Sequence, residues 1–195
     1  MLLKIKKAIS DHLEMMEMMK EASSLHNSLE TISQLMADRL RIGSRVWFCG
    51  NGGSAADAQH LAAELSGKFY FNRPPLPAEA LHVNTSFLTA VANDFDYDTV
   101  YARALEAHAT AGDILILLST SGQSKNILDA EEKASNMGIE TVSIIGDFDS
   151  PLLQSSDFIL QIPSKDTPRI QEATLLLGHI LCEQVESILF QSYKS

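Results

Sequence analysis

At 195 residues, 45% hydrophobic and 21% charged, the chain has the size and composition of one globular domain able to bury a substantial core. Its net charge of -10 argues against a nucleic-acid partner, whose phosphates need clustered Lys and Arg, while leaving room for a single small anion held by helix N–H groups and hydroxyls. No stretch approaches the ~20 apolar residues of a membrane span, and the lysines of residues 1–7 precede no apolar run, so no membrane partner is expected and the expected location is the cytoplasm.

Residues 1–42 read as helix, broken near Ser23-Ser24 or His26-Asn27-Ser28. Ile5, Ile9, Leu13 and Met16 recur at helical spacing, as do Leu25, Leu29, Ile32, Met36 and Leu40. So long an amphipathic preface points to oligomerisation. The methionines Met15, Met16, Met18 and Met19 read as packing on the chain itself or on another subunit. From Arg45 onward short β-prone runs appear at Val46–Cys49, Ala78–Val83, Ile114–Leu118, Thr141–Ile145 and Phe158–Ile162. Helical patterns over Ser54–Ser66, Asp98–His108, Ser124–Met137 and Arg169–Phe190 separate or follow them. Strands alternating with helices imply right-handed crossovers and a mainly parallel sheet covered on both faces. The expectation is a three-layer α/β fold in one domain over 1–195, with a helical oligomerisation segment over 1–42 and a parallel core over 43–195 ending in a long helix. Cys49 and Cys182 both lie in apolar surroundings and read as reduced, buried thiols.

Open parallel sheets bind ligands beyond the carboxyl ends of their strands. Two such ends carry matching chemistry: Gly50-Asn51-Gly52-Gly53-Ser54 after the first strand, and Ser119-Thr120-Ser121-Gly122-Gln123-Ser124 after the central one. Either loop alone is readable as a tight turn with Ser capping a helix. Neither fits the Lys-bearing phosphate loop or the GxGxxG dinucleotide fingerprint, and two strand ends bearing Ser and Thr donors suit a phosphomonoester.

The helix after the first loop carries Asp57, His60 and Glu64, with His60 and Glu64 four apart on one face. The last helix carries Gln171 and His179, eight apart and about 80° out of register. The four residues His60, Glu64, Gln171 and His179 form a donor set compatible with Zn²⁺. On spacing alone the i,i+4 pair reads more readily as a solvated surface pair than as a metal site, and His179, among Leu175, Leu177 and Leu181, more readily as a core histidine. Asn93-Asp94 is either a helix end or a set of acceptors for ligand hydroxyls.

Taken together, Cys49 to His60 with Glu64, Ala92-Asn93-Asp94, Ser119 to Ser124, and Arg169-Ile170-Gln171-Glu172 with His179 resemble the phosphoheptose isomerases, enzymes of the flavodoxin-like sugar-isomerase (SIS) fold. The resemblance spans nearly the whole chain. It implies a ketose–aldose isomerase converting sedoheptulose 7-phosphate to D-glycero-D-manno-heptose 7-phosphate through an enediolate, the entry to lipopolysaccharide heptose. It also implies a homotetramer with active sites at subunit interfaces and one Zn²⁺ per subunit, held by His60, Glu64, Gln171 and His179. By the same resemblance Glu64 and His179 are catalytic. Ser119, Thr120, Ser121 and Ser124 hold the phosphate, and Asn51, Gly52, Gly53, Ser54, Asn93, Asp94 and Gln171 contact the substrate. Lys68 stands where some relatives have Arg, and Pro168 where some have an acidic residue. The rival reading is a non-catalytic SIS-fold protein that binds the replication initiator DnaA; such a relative lacks the acid–base pair, which this chain keeps.

Overall fold

The structure, a computed structural model, describes residues 1–191. Two N-terminal helices, α1 (Leu2–Glu21) and α2 (Ser23–Arg41), precede β1 (Val46–Gly50) and α3 (Gly53–Ser66). Then come β2 (Ala78–Ala80), α4 (Thr85–Asp94), a single 3₁₀ turn at Tyr97–Thr99, and α5 (Val100–His108). The chain continues through β3 (Ile114–Ser119), α6 (Lys125–Asn136), β4 (Glu140–Ile145), the short α7 (Leu152–Ser155), β5 (Phe158–Gln161) and α8 (Thr167–Leu189). All four strand pairings are parallel, in the order β2-β1-β3-β4-β5. This is the α/β parallel-sheet architecture that the strand–helix alternation leads one to expect.

Because side chains alternate along a strand, each buried strand feeds two cores. Val46 and Phe48 of β1, with Ile114, Ile116 and Leu118 of β3, join α1, α2, α3 and α8 on one face. Trp47 and Cys49, with Leu115 and Leu117, join α4, α5, α6 and α7 on the other. That double burial is why β3 reads as an unbroken apolar run: no position in it faces water.

The break between the N-terminal helices falls at Ala22, one residue before the expected Ser23-Ser24. His26 hydrogen-bonds the Met19 carbonyl at 3.1 Å, adding to the Ala22 N–H that closes the end of α1 on the same oxygen. Strand β2 stops at Ala80 rather than Val83, because only its first three residues pair with β1 before the chain turns off the sheet edge. Asp96 caps the 3₁₀ turn by accepting from the Asp98 N–H at 2.9 Å, so regular helix begins at Val100 rather than Asp98.

Strand order reverses between β1 and β3, whose carboxyl ends lie level, with Gly50 opposite Leu118. Both Ser- and Gly-bearing loops therefore leave the sheet side by side at its switch point, where open parallel sheets hold ligands.

Candidate active site

At the switch point the first loop is shaped by close approach. A Cβ on Gly50 would lie 2.5 Å from the Ser54 carbonyl oxygen, and Gly52 holds φ at +57°. Residue types with a side chain would push Ser54 and the start of α3 away. The loop is tied across the switch point by Asn51, whose amide exchanges two hydrogen bonds with Asn126 in the first turn of α6, at 2.8 and 2.9 Å. Tyr97 Oη donates to Asn51 Oδ1 at 3.2 Å, and Tyr101 Oη donates to the Gly50 carbonyl. Burial holds the Tyr101 hydroxyl above its ordinary pKa, with Cys49 and Tyr97 adding to the effect, so it serves as a fixed donor.

The second loop turns on Gly122, at φ +66°, whose N–H donates to Ser119 Oγ at 3.1 Å. Ser150 Oγ donates to the Gly122 carbonyl at 2.6 Å, and Gln123 Nε2 to the Asp149 carbonyl at 3.0 Å. Thr120, Ser121 and Ser124 are half-buried at the rim, while Ser119 and Ser54 are buried. Ser124 caps α6 without a side-chain hydrogen bond to the helix. Its hydroxyl and the N–H groups of Lys125 and Asn126 thus remain unspent at the positive end of a helix, the chemistry that binds a phosphate, while the Ile127 N–H donates to the Ser124 carbonyl. Asn93 and Asp94 are the last two residues of α4, exposed and bonded to each other, Nδ2 to Oδ1 at 2.8 Å.

Helices α3 and α8 run side by side in the same direction. Gln171 packs its amide against Gly53 at one end, and Gly178 lies against Leu61 further along. This alignment brings His60 and His179 together, Nε2 to Nε2 at 2.9 Å, with Glu64 Oε1 3.3 Å from His60 Nε2. One ligand atom from each of the three residues lies within 4.8 Å of the others. Donors around a tetrahedral Zn²⁺ at 2.0–2.1 Å stand about 3.3–3.4 Å apart, so the spacing fits a divalent ion, and two imidazoles with a carboxylate are the right chemistry. Gln171 stands at the other end of the α3–α8 contact, beside Gly53, about 10 Å along α3 from His60.

Asp57, one turn before His60, has a buried Oδ2 with no hydrogen-bond partner, and its carboxyl is pushed up by burial against the opposing pull of His60. Both thiols are free and buried, with burial raising Cys49 and taking Cys182 up to about 12, so neither is a nucleophile.

Sequence reasoning passed over Asn126, Tyr97 and Tyr101, which reach the first loop from 46 to 75 residues away. It also passed over Arg73 and Glu186, a buried ion pair at 2.8 Å. Glu186 had a signal: it continues the buried stripe of Leu177, Leu181, Cys182 and Val185 along α8, where a charge needs a partner.

The SIS-domain family model matches residues 12–146. The phosphoheptose isomerase of Mycobacterium tuberculosis is 52% identical over 162 residues, 81% of this chain and 83% of the relative. That of Sulfurimonas denitrificans is 45% identical over 186 residues, 95% of each chain. Among solved structures, a phosphoheptose isomerase from Francisella tularensis superposes with a TM-score of 0.91 at 31% identity, covering 95% of this chain and 98% of its own. With residues 12–146 matched by the SIS domain and nearly the full length shared with those isomerases, this chain belongs to the SIS-domain family, within the phosphoheptose isomerases.

Proposed function

We propose that the protein converts sedoheptulose 7-phosphate to D-glycero-D-manno-heptose 7-phosphate, a ketose–aldose isomerisation through an enediolate that opens the route to lipopolysaccharide heptose. The observation that carries this reading is the meeting of His60, Glu64 and His179 beside α8 on a chain whose phosphate-type loops lie at the sheet's switch point.

Ser119, Thr120, Ser121 and Ser124 hold the phosphate together with the Lys125 and Asn126 N–H groups that open α6. This anchoring presents the other end of the sugar to the reacting groups. Asn51, Gly52, Gly53, Ser54, Asn93, Asp94 and Gln171 contact the sugar. Glu64 takes the proton from C1, beside the C2 carbonyl, and returns one to C2, while the O1 proton is passed to O2, so that the aldehyde forms at C1 and a hydroxyl at C2. His179 moves protons on the sugar oxygens, ring opening included. Because His179 turns Nε2 toward His60, Nδ1 is the nitrogen free to carry a proton. Glu64 likewise turns Oε1 toward His60, which leaves Oε2 for proton transfer.

One Zn²⁺ per subunit, held by His60, Glu64 and His179, would supply Lewis-acid polarisation of the carbonyl; for Gln171 to serve as the fourth ligand its amide would have to leave Gly53 and turn toward the cluster. The assembly is a homotetramer with active sites between subunits; the exposed apolar row Ile5, Ile9 and Leu13 on α1 supports an interface there. Two unpaired thiols fit the reducing cytoplasm, and among the described residues no helix is long and apolar enough to cross a membrane.

Glu64→Gln tests the assignment of the base. Its kcat falls by about 10²–10⁴-fold while substrate binding by titration calorimetry is retained. A Glu64→Gln enzyme with native turnover removes Glu64 from that role.

A further inference from the structure

Against the turn that bears Glu64, Arg73 Nε donates to Glu186 Oε1 at 2.8 Å, with 0% and 1% of the two side chains exposed. Arg73 spreads the rest of its fork over backbone carbonyls. Nη2 donates to the Glu64 carbonyl at 2.9 Å, and Nη1 to those of Leu65 and Pro74 at 2.9 and 3.0 Å. The first two lie in the last turn of α3, where carbonyls lack intrahelical donors and a cation is favoured. Glu186 lies two turns beyond His179 on α8. Its carboxylate accepts the N–H groups of Phe69, Tyr70 and Phe71 at 3.2, 2.7 and 3.0 Å. That loop in turn lays the Phe69 ring 5.7 Å from the His179 ring, centre to centre.

A buried ion pair is a weak source of stability, since apolar replacement of both partners is often neutral. This pair instead joins three pieces of chain: the turn bearing Glu64, the loop bearing Phe69, and the helix bearing His179. We propose that Arg73 and Glu186 are positioning residues for the reaction centre, holding Glu64 and His179 at the separation that a divalent ion and the proton transfers require. The claim about catalysis rests on the isomerase reading; the claim about metal affinity rests on the cluster alone.

The test compares wild type, Arg73→Lys and the double variant Arg73→Met/Glu186→Met, which leaves no unpaired buried charge. Near-ultraviolet circular dichroism and melting report the fold. Competition with a chromogenic chelator reports Zn²⁺ affinity, and kcat and KM are read separately. The double variant is expected to stay folded, bind Zn²⁺ about 10–100-fold more weakly, and lose kcat by a comparable factor. KM should move by no more than about threefold, because the phosphate loops are untouched. Arg73→Lys, which keeps the charge without the fork, falls between. A folded double variant with native Zn²⁺ affinity and native kcat overturns the proposal. Should the double variant not fold, Glu186→Gln is judged by the same two readouts, and native values there overturn it equally. Wild-type protein that binds Zn²⁺ without turning over the heptulose phosphate sinks the isomerase reading and leaves the positioning claim standing on affinity. Wild-type protein that binds no Zn²⁺ overturns it.

Discussion

Gly122 holds φ at +66°, and a Cβ there would run into the Ser150 side chain that locks the phosphate-side turn. Gly122→Ala therefore meets left-handed strain of about 1–2 kcal/mol plus a clash. At a few degrees per kcal/mol the melting temperature should fall by roughly 3–6 °C, with KM rising more than kcat falls; calorimetry and steady-state kinetics read both. Glu186 makes a pH prediction. Burial alone would raise its carboxyl, but the Tyr70 and Phe71 N–H groups, the Arg73 guanidinium and the Phe69 N–H outweigh it and hold it below the ordinary carboxylate range. A group depressed in this way stabilises the fold fully above its unfolded pKa and loses that contribution as pH falls through the folded value. Glu186→Gln should be less stable at neutral pH, yet its melting temperature should fall less on acidification than that of wild type. At this scale the sequence showed His60 and Glu64, because i,i+4 spacing puts them on one helix face whatever the tertiary fold. It could not show that His179 faces them, since its neighbours Leu177 and Leu181 are buried and local pattern does not separate a core histidine from one at the edge of a helix contact.

Between elements, the α3–α8 contact decides whether the donors meet. Gly178 lies against Leu61, a fully buried side chain, so an added methyl has nowhere to displace it. Alanine is the better helix former by about 1 kcal/mol, yet Gly178→Ala should push α8 off α3, part His60 from His179 and weaken Zn²⁺ binding. Native Zn²⁺ affinity in a stabilised Gly178→Ala protein would show that the contact does not set the cluster. The strands β1 and β3 were legible because continuous apolar runs flanked by helices mark doubly covered strands, and β4 because Thr141, Val142, Ile144 and Ile145 are β-branched. The end of β2 was not: an edge strand stops where pairing stops, and Leu81, Val83 and their neighbours keep β-prone character past that point. The 3₁₀ turn before α5 was hidden similarly, since an Asp96 cap competes with a helical pattern already under way.

For the whole molecule, the two loops and the helix pair converge because strand order reverses between β1 and β3, a property of topology that no local motif displays. The Asn51–Asn126 bridge belongs to the same level: it joins elements 75 residues apart in sequence across that reversal. The N-terminal helices leave Ile5, Ile9 and Leu13 exposed at 53%, 57% and 62%, a row of apolar side chains that a tetramer would bury. Ile9→Glu with Leu13→Glu should shift sedimentation from tetramer toward smaller species and lower activity with it, if the sites lie between subunits; an intact, active tetramer would place the interface elsewhere. The proposed reaction, isomerisation of a heptulose phosphate at a metal-holding centre, leaves a solvent-derived hydrogen in the product. NMR of sedoheptulose 7-phosphate in D₂O with the purified protein, before and after chelation, addresses it most directly. The expected product is an aldoheptose 7-phosphate that carries solvent deuterium at C2, its formation abolished by chelation and restored by Zn²⁺. Metal-replete, correctly assembled protein that leaves the heptulose phosphate unchanged would contradict the proposed reaction.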